Sequence, residues 1–281
     1  MGNSKEGTVW EASAGKLASA STKFWNGLGS RGAEIITRLD DEKDPLRKRV
    51  QDFILRGGIT DSAHQKLVRY IMGQNFWGLE EWAQNHGGIF TKKQEQQVAE
   101  FPWGEDVLTS ACSIPRCGKI VKDCHFAFLG LDRLNKEAVN ILKLQGRYPA
   151  SGQPKFYSYA PSAWYSTHDF ATLTTLGFRW YLMHQEIVLK STSTDYQNQL
   201  TMLPAEYEVP LCIEETTKDL FMIQKTGRYP NRSVYARCRD LSANGNRLYA
   251  GYCDGNGVSL NVWDDYSDGL IGLAASRKLP A

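Results

Sequence analysis

The chain is 281 residues long, 42% hydrophobic and 23% charged, with a formal net charge of +2. Such a length holds one large domain or two modest ones, and the composition is that of an ordinary globular protein. The near-neutral balance excludes a strongly basic nucleic-acid surface and a polybasic membrane-hugging one.

No apolar run is long enough to span a bilayer, and the N-terminus lacks an apolar signal-peptide core. These features predict a cytoplasmic or virion-associated protein with no membrane partner. Six cysteines, Cys112, Cys117, Cys124, Cys212, Cys238 and Cys253, are scattered, and free thiols are the default in that setting.

Residues 1–40, rich in Ser, Gly, Ala and Lys around Trp10, Phe24 and Trp25, read as a flexible tail with a short helix near 12–23. Residues 41–104 read as a small helical module. Pro45 suits a first helical turn, where its missing N–H costs nothing. Leu46, Val50, Phe53 and Ile54 follow at helical spacing, and Gly57-Gly58 stops the run. A second helix starts near Thr60-Asp61 with Ala63, Leu67 and Ile71 on its apolar face. A third carries Leu79, Trp82 and Ala83 and ends at Gly87-Gly88. Thr91 and Gln94 form a capping box that opens a fourth. The rhythm of 77–98 admits a DNA-binding helix-turn-helix. Only Lys92 and Lys93 form a close basic pair there, however, so nucleic acid is not the expected partner.

In residues 105–281, the stretches Lys122–Leu131, Val139–Leu144 and Lys155–Ala160 (KFYSYA) read as strands. Thr172–Val188 reads as a long core strand bent at Gly177. Ile213–Lys225 reads as an amphipathic helix with Ile213, Thr217, Leu220 and Phe221 on one face, capped by Gly227. The chain then changes vocabulary. From Asp240 to Ser276 there is no Lys, Glu, Gln, Met, His or Pro, and Tyr, Asn, Asp, Ser and Gly dominate. Tyrosine offers contact area with few torsions to freeze, and Ser, Gly and Asn offer adaptable hydrogen bonding, as in recognition surfaces. Arg247–Cys253, Val258–Trp263 and Leu270–Ser276 read as three antiparallel strands separated by Gly-containing turns. Period-two alternation sends Leu248, Val258, Leu260 and Val262 to the core, and Tyr249, Ser259, Asn261 and Trp263 to the other side.

The closing pattern R-L-Y-A-G-Y-C-D-G-N-G-V, then W-D-D, then G-L-A-A-S-R-K, resembles the variable proteins of diversity-generating retroelements. It is most similar to those of archaea, their viruses and small-genome bacteria. The resemblance covers about 112–279 and is strongest in the last third. In that family an error-prone reverse transcriptase rewrites adenines in a C-terminal repeat carried on a C-type lectin fold. Asn codons of the type AAY then reach Asn, Asp, Ser, Tyr, Cys, Gly, His and several apolar residues, but not Lys, Glu, Gln, Met or Trp. The types missing from 240–276 agree with that rule apart from Trp263, which is therefore expected to be invariant scaffold.

The resemblance implies an α+β protein whose residues 105–281 form a C-type-lectin-like domain with a variable region at about 235–279. The terminal run Leu270–Ser276 should close the domain beside an early strand. The expected ligand face is Tyr249, Tyr252, Asn256, Ser259, Asn261, Asp265, Tyr266 and Ser267, extended by Tyr235, Arg237 and Arg239. The implied function is ligand-binding display, not catalysis and without a cofactor. The ligand is an unknown protein or carbohydrate, with protein favoured.

Two rival classes are a DNA-binding regulator and a Cys-dependent enzyme on the same fold. An enzyme would need Cys124, Cys238 or Cys253 beside His125, His168 or His184, and no local signature pairs them. Cys112, Cys117 and the adjacent Cys124-His125 contain zinc-type ligands. The C-x4-C spacing is loose, and on a strand Cys124 and His125 would point apart, so metal is left out. Trp263-Asp264-Asp265 resembles the core motif of calcium-dependent lectins without its ligand tripeptide. Asp254, Asp264, Asp265 and Asp268 therefore read as turn and rim residues.

Overall fold

The computed structural model describes residues 29–55, 59 and 61–280, with isolated positions 19, 22–23 and 25–27. Most of the expected tail, the Gly57-Gly58 stop, Thr60 and the side chain of Trp263 lie outside the described residues. The α+β class holds. The chain divides into two units, Met1–Gly58 and Ile59–Ala281.

The first unit contains helices Gly32–Asp40 and Pro45–Leu55. Its described part is thus helical from Gly32, where a flexible tail to residue 40 was expected. Pro45 takes the first helical position, and the Asp44 carboxylate accepts from the Leu46 N–H at 2.7 Å. Asp44 also pairs with Arg38 at 2.9 Å, and that hydrogen bond holds its carboxyl below the usual range.

The second unit begins with helix Ala63–Met72, in which Ser62 and Gln65 form the capping box. Its inward residues are Gln65, Val68 and Met72, one step round from the expected Ala63, Leu67 and Ile71. Strand β1 (Phe76–Trp77) and helix Leu79–His86 follow. Leu79, Trp82 and Ala83 are buried as expected, and Gly87 ends the helix in the left-handed region. Helix Lys92–Gln97 opens on the Thr91–Gln94 box.

These elements belong to the body of the protein, so the expected module boundary at 104 moves back to 58. Tryptophan indoles explain why. Trp82 donates to the Leu129 carbonyl at 2.8 Å, Trp180 to Val98 at 3.0 Å and Trp103 to Lys278 at 3.1 Å. Buried indole N–H groups usually find such a partner, and each of these three ties the helical segment to a distant element.

The first sheet is five-stranded. β1 lies parallel to β2 (His125–Leu129), and β2 pairs antiparallel with β5 (Trp180–His184) across a small β3–β4 hairpin (Arg133–Leu134, Glu137–Ala138) in sequence. β6 (Tyr207–Glu208) forms the far edge. Three sequence expectations change here. Val139–Leu144 is largely helix, Ile141–Arg147, because the Asn140 side chain accepts from the Lys143 N–H and caps it. The Thr172–Val188 strand shortens to β5, preceded by helix Asp169–Thr172. KFYSYA forms no strand beyond a single parallel bridge from Phe156 to Val258.

Helix Cys212–Thr226 ends at Gly227, whose φ of +69° suits a C-cap glycine. It is buried on every side from Cys212 to Ile223 rather than amphipathic, because it packs on β2 and on the second sheet. Its buried lysine is paired within the helix, although Glu215 Oε2 and Asp219 Oδ1 accept no hydrogen bond. Lys218 lies 2.6 Å from Glu215 and 3.1 Å from Asp219, and donates to the carbonyls of His184 and Gln185.

The second sheet has the order β10-β7-β8-β9, from β7 (Tyr235–Leu241), β8 (Arg247–Asp254), β9 (Gly257–Trp263) and β10 (Ile271–Leu273). β7, β8 and β9 are antiparallel neighbours. The β8–β9 turn requires glycine at 257. There φ is +118°, and a Cβ would stand 2.5 Å from the carbonyl carbon of Phe156.

The terminal run is not one antiparallel strand. β10 lies parallel to β7, and after Ala274-Ala275 the chain enters the first sheet as β11 (Ser276–Arg277), between β5 and β6. The chain end thus closes beside β5, itself the neighbour of β2, rather than directly beside an early strand.

Candidate functional site

Alternation along β7–β9 sorts the side chains as the sequence predicts. Ala236, Cys238, Leu248, Ala250, Val258 and Leu260 point inward and are fully buried. Tyr235, Arg237, Tyr249, Ser259 and Asn261 share the outward side, through the pairs Tyr235–Gly251–Ser259 and Arg237–Tyr249–Asn261.

One end of this face is open. Tyr235, Tyr252, Asn256, Ser259 and Asn261 line a cleft of about 420 Å³ with Asp254, Tyr157 and Tyr159. The rings are ordered by one another. Tyr235 stacks on Tyr252 at 5.3 Å and meets Tyr249 edge-on at 4.9 Å, and Tyr157 meets Tyr159 at 5.0 Å. β9 is an edge strand, a liability unless its backbone is occupied. Tyr159 occupies it, donating to the Leu260 carbonyl at 2.5 Å and accepting from the Leu260 N–H at 3.1 Å. The Trp164 indole donates to the same carbonyl at 3.0 Å. Burial pushes the Tyr159 phenol up, so it stays neutral and can fill both roles.

Tyr252 reaches the cleft through a bulge. The β8–β9 register shifts between Gly251 and Asp254, and Tyr252 has φ +48°. A bulge re-aims a side chain, and a left-handed tyrosine costs about 1 kcal/mol. Cys253 consequently turns inward and is buried, while Tyr252 stands 40% exposed.

The other end is covered. Arg237, expected on the binding face, is fully buried. Its guanidinium donates to Gln199 Oε1 at 3.1 Å and to the Tyr266 carbonyl at 2.9 Å. Helix Tyr196–Leu200 supplies that lid, and the loop after β9 is stitched to it by Tyr196 N–H to the Asp265 carbonyl and Ser193 N–H to the Asp268 carbonyl. Arg247 pairs with Asp265 at 2.9 Å and lies 3.7 Å over the Tyr196 ring.

Two further corrections follow. Tyr249 is buried, its hydroxyl donating to the Val262 carbonyl at 3.2 Å, and Ser259 is buried at the cleft floor within 2.9 Å of the Tyr159 hydroxyl. The remaining expected residues are exposed: Asn256, Asn261, Asp265, Tyr266, Ser267 and Arg239, the last 3.7 Å from Glu208. Tyr157 and Tyr159 were missed as site residues. The aromatic alternation of KFYSYA was visible, but its place beside β9 is a long-range contact.

Asp254 accepts from the Asn256 N–H and Asp268 from the Leu270 N–H, in keeping with turn and rim roles. His168 and Asp169 border a separate cleft of about 400 Å³ with Leu241, Ser242 and Ala243, which contains no cysteine.

The cysteines contradict one premise of the sequence reading. Cys124 ends a short helix, Val121–Cys124, instead of sitting in a strand, so alternation does not govern it. Its sulfur joins those of Cys112 and Cys117 and a ring nitrogen of His184, all within 4.8 Å of one another. His184 arrives because β5 pairs it with His125. Cys117 Sγ lies 3.5 Å from His184 Nε2. Burial raises the Cys117 thiol and brings His184 down to about 4, while a hydrogen bond from Cys124 draws the Cys112 thiol down to about 6.

The chain matches no family model, no curated protein and no solved structure.

Proposed function

We propose that this protein is a ligand-binding display scaffold of C-type-lectin-like architecture, whose C-terminal face is diversified by a retroelement to alter specificity. The observation that carries the reading is the open end of the β7–β9 sheet. Tyr235, Tyr252, Asn256, Ser259 and Asn261, all named from sequence, gather with Tyr157 and Tyr159 around one cleft. The sheet beneath them is packed on a buried helix, so outward side chains can change on a rigid backbone at little cost in stability. The entry of β11 into the first sheet beside β5 and β6 supports a domain closed on its own terminus.

A protein ligand is favoured. Ordered tyrosines beside the exposed Asn256 and Asn261 suit the aromatic anchors of protein interfaces. Display needs no cofactor and no catalytic residue. The enzyme alternative rests on the Cys117–His184 and Cys124–His125 contacts, at 3.5 and 3.2 Å, and none of these residues lines the display cleft.

Two tests apply. The neighbouring DNA should hold a near-copy of the final coding segment that differs mainly at adenines, with a reverse-transcriptase gene. A complete locus lacking both removes the diversification half of the proposal. Separately, Tyr252, Asn256, Asn261 and Tyr266 can be randomised together on a display platform. Folded members with new binding specificities are expected, and a library that does not fold refutes the scaffold.

A further inference from the structure

The cysteine cluster lies away from the display face and plays no part in it. Cys112, Cys117 and Cys124 follow a C-x4-C-x6-C spacing, and β5 adds His184. We propose that these four residues form a structural zinc site of the Cys3His type.

The geometry is close to the required tetrahedron. Zn–S bonds of about 2.3 Å and Zn–N of about 2.0 Å place ligand atoms roughly 3.5–3.8 Å apart. The four ligand atoms already lie within 4.8 Å of one another, and Cys117 Sγ and His184 Nε2 stand at 3.5 Å. Closing on an ion therefore needs contraction of about an ångström at most.

The surroundings are those of a ligand set. His184 Nδ1 lies 2.7 Å from the Glu186 carbonyl, which can only accept. That contact places the ring proton on Nδ1 and leaves the Nε2 lone pair facing the sulfurs, as the outer contacts of metal-bound histidines do. Residues 111–120 form a tight hairpin-like loop, with a bridge from Ala111 to Ile120 and the Cys112 N–H on the Lys119 carbonyl at 2.8 Å. Left-handed Arg116 and Gly118 flank Cys117 and turn its thiol into the cluster. Lys119 and Arg228 line the adjoining cavity of about 120 Å³. With Glu186 on the same cavity, these two cations leave one net positive charge to offset the single negative charge of a zinc ion held by three thiolates.

Thiolate ligands with a neutral imidazole select zinc over calcium or magnesium. Four protein ligands leave no position for water or substrate, which makes the role structural rather than catalytic. The ion would staple the 111–124 segment to the end of β5. Three thiol protons pass to solvent as it binds.

The test is metal analysis of the unaltered full-length chain, purified without chelator from zinc-supplemented cells. About one zinc per chain is expected, and cobalt(II) exchanged into the protein should show the visible bands of tetrahedral thiolate coordination. C117A and H184A should each hold less than about a tenth of that zinc, while H184C, which restores a fourth soft ligand, should recover it. Since the alanine variants lose their staple and can unfold, the unaltered chain decides. The proposal is overturned if that chain is folded yet carries less than about a tenth of a zinc per molecule and binds no cobalt. It is equally overturned by a disulfide between two of the three cysteines in freshly reduced, zinc-exposed protein.

Discussion

The two ends of the outward face of β7–β9 obey the same alternation and meet opposite fates. Tyr235 and Asn261 sit beside an open cleft, whereas Arg237 and Tyr249, on the same side of the same strands, are buried. For Arg237 the difference comes from helix Tyr196–Leu200 and the loop after β9, which accept its guanidinium, while Tyr249 is packed against the Tyr235 ring. Strand periodicity decides which side of a sheet a residue occupies. Whether that side meets solvent depends on segments remote in sequence.

Predictions that could break this contrast start at the covered end. Tyr249→Ala should cost about 3–5 kcal/mol, since it empties a buried aromatic position under Tyr235. Urea unfolding measures it, and a loss near zero would put Tyr249 back among the rewritable residues. Arg237→Ala should cost about 2–4 kcal/mol, because Gln199 and the Tyr266 carbonyl lose a charged donor inside the protein. Asp265→Asn removes an ion pair that is half open to solvent, and should cost less than about 1 kcal/mol, an effect that fades as salt is raised. The smallest effects belong to the open end. Asn256→Ser and Asn261→Ser should each lie within about 0.5 kcal/mol of the parent in thermal melts. Tyr252→Gly should be close to neutral, as relief of the left-handed backbone, about 1 kcal/mol, offsets the lost stack on Tyr235.

Much of the C-terminal sheet was legible because its signals are local. The glycine turns, the inward Leu248, Val258 and Leu260, and the caps at Thr91 and Gly227 each follow from a few adjacent residues. What failed was long-range. Leu270–Ser276 looks like one apolar strand but serves two sheets, and nothing in it marks the break at Ala274-Ala275. The unit boundary was misplaced because indole N–H groups reach partners far along the chain. Within the cleft, the residues contributed by β7–β9 could be named from sequence, but Tyr157 and Tyr159 could not. The fourth member of the cysteine cluster was hidden for the same reason: the local partner was His125, while the fold supplies its cross-strand neighbour His184.

The turn at Gly257 has a consequence for heredity. A side chain there would collide with the Phe156 backbone, so any lineage that substitutes it loses the hairpin carrying the cleft. Glycine triplets begin with two guanines, and a mutagen that acts on adenine can touch only their silent third base. A glycine that the turn cannot spare is thus spelled in letters the proposed editing machinery would not rewrite, and under that proposal variation would fall on the side chains around it.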